Sequence, residues 1–248
     1  MYEPRFYRDV MGHDRFTAFT AVYKESDLWI GVDKKSYNES MDDFVFSKLW
    51  NLRSILDNYI NRHPGFVKSF FPVEAYLDAP GIIKKMTRAG KKANVGPMAC
   101  VAGAVACEIG NMLINEYRPE ELIVENGGDI FLKVKKTVEV SVFAGNSPLS
   151  GKVGVKIPAE HTPCGVCTSS GTIGHSTSFG AADAVMIISR DTLTADAFAT
   201  ALCNRVMTGD DIEKILDIAD TKEDISGILV IKGDTMGIRG QYDLALFN

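Results

Sequence analysis

Residues 122–132 read LIVENGGDIFL, and this stretch decides the class of fold. Two short apolar runs, Leu122–Val124 and Ile130–Leu132, flank the turn residues ENGGD. Asn-Gly supplies the positive φ angles of a tight two-residue turn, so the pattern predicts an antiparallel hairpin. Because tight turns also join most of the other predicted strands, a largely antiparallel sheet fits better than a doubly wound parallel one.

The segments on either side continue the mixture of strands and helices. Apolar residues at helical spacing predict a helix at 41–62, and a cluster of basic residues before a glycine indicates a short helix at 81–92. Two more helices are predicted at about 193–207 and at 210–219, the last with a capping pair at Asp210 and Glu213. Strands are predicted at 15–23, 28–32, 138–143, 153–157 and 183–189, with a four-residue loop at 24–27 and a C-terminal hairpin that turns at 232–234. Small residues after Pro97 predict a buried helix that other backbone approaches closely. We therefore expect one α+β domain over residues 1–248.

The composition limits the class of protein. The 248 residues are 46% hydrophobic and 24% charged, as in globular proteins, and 27 basic against 32 acidic residues give a net charge of −5. This acidity argues against a nucleic-acid partner but leaves an anionic small molecule open. Because no run of about 18 to 20 uninterrupted apolar residues occurs, we expect no membrane span. Residues 1–16 contain no apolar signal core and the five cysteines are scattered, so we expect a cytoplasmic protein.

The ENGGD turn is the first of four patches that carry candidate chemistry. A hairpin alone accounts for Asn126, Gly127 and Gly128. Alternatively, the two glycines let a phosphate or sugar approach the backbone, with Asp129 as a hydrogen-bond acceptor. The acidic groups on both sides of the turn exceed what a hairpin requires.

The second patch is a polar loop. It offers six hydroxyl groups, two glycines and one imidazole within ten residues, namely Thr168, Ser169, Ser170, Gly171 and Thr172, followed by Gly174, His175, Ser176 and Thr177. Hydroxyl and backbone N–H groups are what an anionic ligand selects, and His175 is the candidate catalytic residue. An ordinary surface loop with a bystander histidine has the same composition.

The third patch lies on a predicted helix. Asp196 and Thr200 are four residues apart, so they share a face, and alanines and a phenylalanine surround them. A carboxylate beside a hydroxyl suits Mg²⁺, which uses few protein oxygens and lets ligand phosphates complete its coordination. Alternatively, Asp196 is an early-turn residue that the N-terminus of its own helix stabilises.

The fourth patch is the CxxC of Cys164 and Cys167. A zinc site would need two more soft ligands, and the other cysteines form no second CxxC. A thioredoxin-like site would place the motif at a helix start, whereas here we expect it in a loop. A thiol redox protein stays an alternative to be tested.

Taken in order, NGGD, TSSGT and ADAFAT resemble the GGD turn, the TSG loop and the ADALAT helix of the ApbE family of flavin transferases. The similarity is greatest to a shorter, uncharacterised archaeal and bacterial branch. It implies the tunnelling-type α+β fold, binding of FAD and Mg²⁺, cleavage of the pyrophosphate, and transfer of FMN to a threonine of a protein acceptor. Some members of the family hydrolyse FAD instead. It also implies Asp196, Thr200 and the carbonyl of Ala99 as metal ligands, and Asp129 as the acid of the GGD turn.

Two departures from the family pattern keep an alternative open. Cys100-Val101 stands where the family has Lys-Gly, and the segment around His175 is shortened. A non-catalytic protein that binds a nucleotide or pterin on the same fold is therefore the second hypothesis. A homo-oligomer is open in either case.

Overall fold

Antiparallel strands form the framework of the fold. The computed structural model describes residues 15–172 and 180–247. The strands are β1 Phe16–Tyr23, β2 Ser26–Asp33, β3 Leu122–Asn126, β4 Asp129–Lys133, β5 Val138–Ser141, β6 Val153–Ile157, β7 Cys164–Ser169, β8 Ala184–Ser189, β9 Gly227–Lys232, β10 Thr235–Gly240 and β11 Leu244–Leu246. Eight of them form one sheet in the order β1-β2-β3-β4-β7-β8-β9-β10, in which every neighbouring pair is antiparallel.

The large sheet is covered on both faces. A smaller antiparallel sheet, in the order β11-β6-β5, shares one apolar cluster with one face, and the helices share another cluster with the opposite face. Strand β8 illustrates this burial on both faces: Val185 and Ile187 belong to the cluster on the helix side, whereas Met186 and Ile188 belong to the cluster on the side of the small sheet. Alternate residues of a strand point to opposite faces, so a strand buried on both sides is apolar throughout.

The helices in the described residues are α1 Ser40–Arg62, α2 Pro64–Lys68, α3 Gly81–Ala93, α4 Val101–Tyr117, α5 Thr192–Cys203 and α6 Ile212–Asp220. A short 3₁₀ turn, Pro97–Cys100, leads into α4. Helix α4 packs on β3 and β4, whereas α5 packs on β7, β8 and α4. The candidate site is built where these two helices meet the sheet.

The predicted elements are largely present, with local corrections. The first hairpin turns at Lys24 and Glu25, not over the four residues 24–27, because Ser26 and Asp27 pair with β1. The cap before α6 is Thr208 with Asp211, not Asp210 with Glu213: the two residues form a capping box at the preceding 3₁₀ turn. The CxxC lies in strand β7, not in a loop.

One helical stretch passes the length and composition test for a membrane span. Among the described residues, Pro97–Tyr117 is long and apolar enough to cross a bilayer, but half of its most apolar window is buried inside the protein. The small residues in this stretch allow close packing, as predicted. A Cβ at Gly110 would lie 2.3 Å from the ring of Phe131, so α4 and the sheet are in direct contact there.

Candidate functional site

The turn between β3 and β4 is a two-residue hairpin turn, as predicted. Asn126 pairs with Asp129, and Gly127 and Gly128 between them have φ angles of 68° and 98°. The flanking side chains have further roles, because Glu125 accepts a 2.8 Å hydrogen bond from the N–H of Gly128, and Asn126 donates one of 3.1 Å to the carbonyl of Ala102. The turn is therefore fastened to the start of α4.

Asp129, the first residue of β4, carries a buried carboxylate. It lies opposite Cys167 on β7, and its Oδ1 has no hydrogen-bond partner among the described residues. Burial raises the pKa of the Asp129 carboxyl well above its usual range, and the nearby charge of Asp196 raises it further. A hydrogen bond with Cys167 acts in the opposite direction and lowers the pKa. A buried carboxylate oxygen is costly unless a donor or a cation satisfies it, so this Oδ1 is a candidate ligand atom.

Asp196 faces another helix rather than the N-terminus of its own. Its Oδ2 accepts a 2.8 Å hydrogen bond from the backbone N–H of Gly103 on α4. Burial raises the pKa of Asp196 to about 7, although the Gly103 N–H opposes the shift. A Cβ at Gly103 would lie 2.9 Å from the Asp196 Cβ and 3.0 Å from the carbonyl of Thr192, so glycine is needed for this approach.

Thr200 and Ala99 contact each other one helical turn away from Asp196. The Thr200 hydroxyl, one turn after Asp196 on α5, donates a 3.3 Å hydrogen bond to the carbonyl of Ala99. Both residues are half-buried, whereas Asp129 and Asp196 are buried. The residues that supply these oxygens therefore differ in depth: Asp129 and Asp196 lie in the interior, and Thr200 and Ala99 lie closer to the surface.

This set of oxygens fits Mg²⁺. Carboxylate, hydroxyl and carbonyl oxygens are its usual ligands, and a phosphate-bearing ligand or water supplies the rest. Over residues 15–172 and 180–247, no group of three or more His, Cys, Asp or Glu side chains is placed to hold a metal ion. Oxygen ligands favour a hard cation over zinc. The Oδ1 of Asp129, which has no partner in the described part of the chain, is the atom that a cation would satisfy.

The polar loop lies beside the glycine turn. The N–H of Thr168 donates to the carbonyl of Gly128 at 3.3 Å, so the first and second patches are adjacent. Thr168 and Ser169 end β7, and Ser170 and Thr172 form a local hydroxyl turn. Gly171 passes close to Gly180, where a Cβ would lie 2.2 Å from the carbonyl oxygen.

Asp183 fastens the end of this loop. Its Oδ1 accepts a 3.2 Å hydrogen bond from the hydroxyl of Thr172, and its Oδ2 accepts one of 2.6 Å from the N–H of Gly233 in the β9–β10 turn. His175, the candidate catalytic residue, lies outside the described residues, as do Gly174, Ser176 and Thr177.

The two cysteines of the CxxC point away from each other. Cys164 belongs to the cluster on the small-sheet side, and Cys167 to the cluster on the helix side. Burial raises the pKa of Cys164 to about 12 and that of Cys167 well above its usual value, which disfavours the reactive thiolates. This geometry speaks against a dithiol redox site.

An apolar cleft opens at the end of α5, the helix that carries Asp196 and Thr200. It has a volume of about 320 Å³ and lies between the residues before α4 and the end of α5. Its walls include Phe70, Phe71, Val95, Ala201 and Arg205. The carbonyl of Phe70 accepts a 2.9 Å hydrogen bond from the N–H of Gly96, which holds the aromatic pair at the rim.

Sequence reasoning missed three of these features. The run of small residues marks a close approach, but no pattern singles out Gly103. Asp183 was predicted only as the first residue of the strand 183–189, with no link to the loop. Nothing in the sequence connects Phe70 and Phe71 with the site, because over a hundred residues separate them from α5.

Known proteins resemble this chain in sequence. The family described as AbpE bacteria matches residues 8–229. A UPF0280 protein of Methanocaldococcus jannaschii is 43% identical over 225 residues, which cover 89% of each chain. A UPF0280 protein of Methanopyrus kandleri is 40% identical over 227 residues, again 89% of each chain.

Solved structures resemble it in fold. The ApbE protein of Thermotoga maritima matches with a TM-score of 0.64 at 13% identity, over 92% of this chain and 97% of that chain. The flavinyl transferase ApbE of Pseudomonas stutzeri, in its apo form, matches with a TM-score of 0.59 at 12% identity, over 91% and 94%. The predicted ApbE-like α+β architecture is thereby confirmed.

Proposed function

Because this chain belongs to the family described as AbpE bacteria, we propose that it is a Mg²⁺-dependent protein that binds FAD and cleaves its pyrophosphate, with transfer of FMN to a protein hydroxyl or to water. One observation carries the proposal: beside the carboxylate of Asp196, the buried Oδ1 of Asp129 has no hydrogen-bond partner within residues 15–172 and 180–247. Proteins of similar fold include a flavinyl transferase of Pseudomonas stutzeri and a flavin transferase of Vibrio cholerae, which supports a flavin as the substrate class.

In this proposal Asp129, Asp196, Thr200 and the carbonyl of Ala99 hold the cation. Mg²⁺ would neutralise the charge that develops on the phosphate oxygens when the pyrophosphate breaks. Asp129 and Asp196 must give up their protons before they hold it, because their pKa values are raised by burial. The Gly103 N–H keeps Asp196 oriented in its ionised form.

The backbone around the turn and the loop would bind the phosphates. Gly127 and Gly128 have no side chains to block an approaching anion, and Ser169, Ser170 and Gly171 on the adjacent loop offer hydroxyl and N–H donors. The apolar cleft beside Thr200 would take a planar ring of the ligand against Phe70 and Phe71. His175 stays the predicted catalytic residue.

The direct test is turnover of FAD. Water cleavage of the pyrophosphate consumes one water and gives FMN and AMP, which chromatography separates from FAD. We expect Mg²⁺-dependent FMN release by the wild type and a loss of at least about 100-fold in Asp196→Asn, as for other preorganised charge-stabilising groups. The matched control is Asp217→Asn, which removes an exposed carboxylate paired with Arg239. No release by the wild type, or undiminished release by Asp196→Asn, would overturn the proposal.

A second candidate is a protein that binds a nucleotide or pterin without catalysis. Its support is Cys100, a buried thiol whose Sγ donates to the carbonyl of Pro97 at 3.3 Å, where the family pattern has lysine. A buried thiol cannot supply the positive charge of that lysine. Calorimetry with FAD, FMN, ATP and a pterin separates the two candidates, because binding unaffected by Mg²⁺ favours the second.

A further inference from the structure

A loop on the surface exposes large apolar side chains next to the cleft. Between α2 and α3 the chain reads SFFPVEAYLDAP, and Leu77 is 98% exposed and Phe71 is 73% exposed. Phe70 and Tyr76 in the same stretch, and Val67 at the end of α2, are exposed as well. Isolated exposed apolar residues are common, but five within eleven residues form a patch typical of an interaction surface. We call residues 69–77 the aromatic loop.

The aromatic loop is fixed to the rest of the protein. The ring of Tyr76 stacks on His63 with 4.3 Å between ring centroids, and the hydroxyl of Ser69 donates to the carbonyl of Phe71 at 2.7 Å. Lys84 on α3 donates to the carbonyl of Leu77 at 2.7 Å. The backbone is therefore anchored at both ends while the apolar side chains face solvent.

Positive charge surrounds the aromatic loop. Four exposed cations flank it, and in the described part of the chain none has a carboxylate within ion-pair distance: Arg62, Lys68, Lys84 and Arg205. The acids in the loop and directly after it are Glu74, which pairs with Lys91, and Asp78. The surface is thus apolar and locally cationic in a chain whose net charge is −5.

The position of the aromatic loop decides between occupants. Phe70 and Phe71 line the cleft together with Arg205, which follows α5 in the chain. A molecule bound to the aromatic loop therefore lies next to the cleft beside Thr200. A concave cleft next to an apolar rim suits a side chain from an extended peptide better than it suits the flat surface of a bilayer.

We propose that the aromatic loop and its flanking cations dock a second protein through a segment that carries acidic and apolar residues. The proposal rests on the proposed function, since such a segment would bring the accepting hydroxyl of a protein substrate to the cleft. Apolar side chains supply the contact area, and the unpaired cations select acidic over basic partners.

The test is selection from a random 12-residue peptide library on the full wild-type chain, followed by anisotropy titration of the selected peptides. We expect acidic, apolar sequences whose affinity falls roughly tenfold or more in the double variant Leu77→Ser/Lys68→Glu, as for central contacts of other interfaces. Higher ionic strength should weaken them further. The matched control, Val22→Ser/Lys214→Glu, changes an exposed apolar residue and an exposed lysine elsewhere and should leave affinity unchanged.

Other outcomes overturn the docking surface. These are no selected peptide, basic selected peptides, equal binding by the loop variant, or binding only to vesicles of anionic lipid. FMN release from FAD separates the two proposals, because neither Leu77 nor Lys68 lies in the proposed FAD site. Release with no peptide binding refutes the docking surface alone, whereas peptide binding without release refutes the proposed function alone.

Discussion

Replacing Asp196 by asparagine tests whether an ionisable carboxylate is buried at the centre of the site. In the folded chain, burial raises the pKa of Asp196 from 3.8 to about 7. Between those values the folded chain binds more protons than the unfolded chain, so the free energy of unfolding falls as pH rises. Asparagine cannot ionise, and its amide oxygen can still accept the hydrogen bond from Gly103.

The size of the effect follows from the shift in pKa. One pKa unit corresponds to about 1.4 kcal/mol, so about three units cost the ionised form about 4 kcal/mol, of which about 3 kcal/mol is lost between about pH 5 and pH 8. At roughly 2–4 °C per kcal/mol for a chain of this size, Asp196→Asn should gain about 6–12 °C in Tm over the wild type across that interval.

The assay is thermal unfolding in EDTA and in Mg²⁺ at several pH values. A cation binds the ionised carboxylates, so Mg²⁺ should raise the Tm of the wild type at pH 8 more than at pH 5, and should leave Asp196→Asn unchanged. Asp217→Asn should follow the wild type throughout, because its carboxylate is exposed. Parallel pH profiles of wild type and Asp196→Asn in EDTA, or equal responses to Mg²⁺, would refute the reasoning.

Three further predictions concern neighbouring residues. Gly103→Ala should lower the free energy of unfolding by about 1–3 kcal/mol in urea, because its Cβ would lie 2.9 Å from that of Asp196; unchanged stability would contradict the close approach. Thr200→Val should lose the Mg²⁺-dependent rise in Tm while Thr200→Ser keeps it, and identical behaviour of the two would exclude the hydroxyl as a ligand. Mild oxidation should form no disulfide between Cys164 and Cys167, whose side chains lie on opposite faces of the sheet, and a mass decrease of about 2 Da in the peptide that contains them would show otherwise.

Sequence patterns predicted the elements wherever the signal was local. The Asn126-Gly127 turn was identified because its conformation depends on four consecutive residues. Helix α1 was identified from a repeat that is visible within its own length. Strand β7 was missed because it is buried in its first four residues and shows no alternation, and β11 has only three residues.

The same distinction between local sequence signals and long-range packing applies to the candidate site. The sequence by itself determined which residues carry chemistry, since carboxylates, hydroxyls and glycines are recognisable wherever they stand, and it placed Asp196 and Thr200 on one face of a helix. Only the tertiary structure brought Asp129 next to Asp196, set Gly103 against the carboxylate, and turned Cys164 away from Cys167. Burial and charge proximity raise the pKa values, and the packing leaves Oδ1 of Asp129 with no partner among the residues that the structure describes. The physical reason is that these effects come from segments far apart in the chain, and no local pattern records how those segments pack.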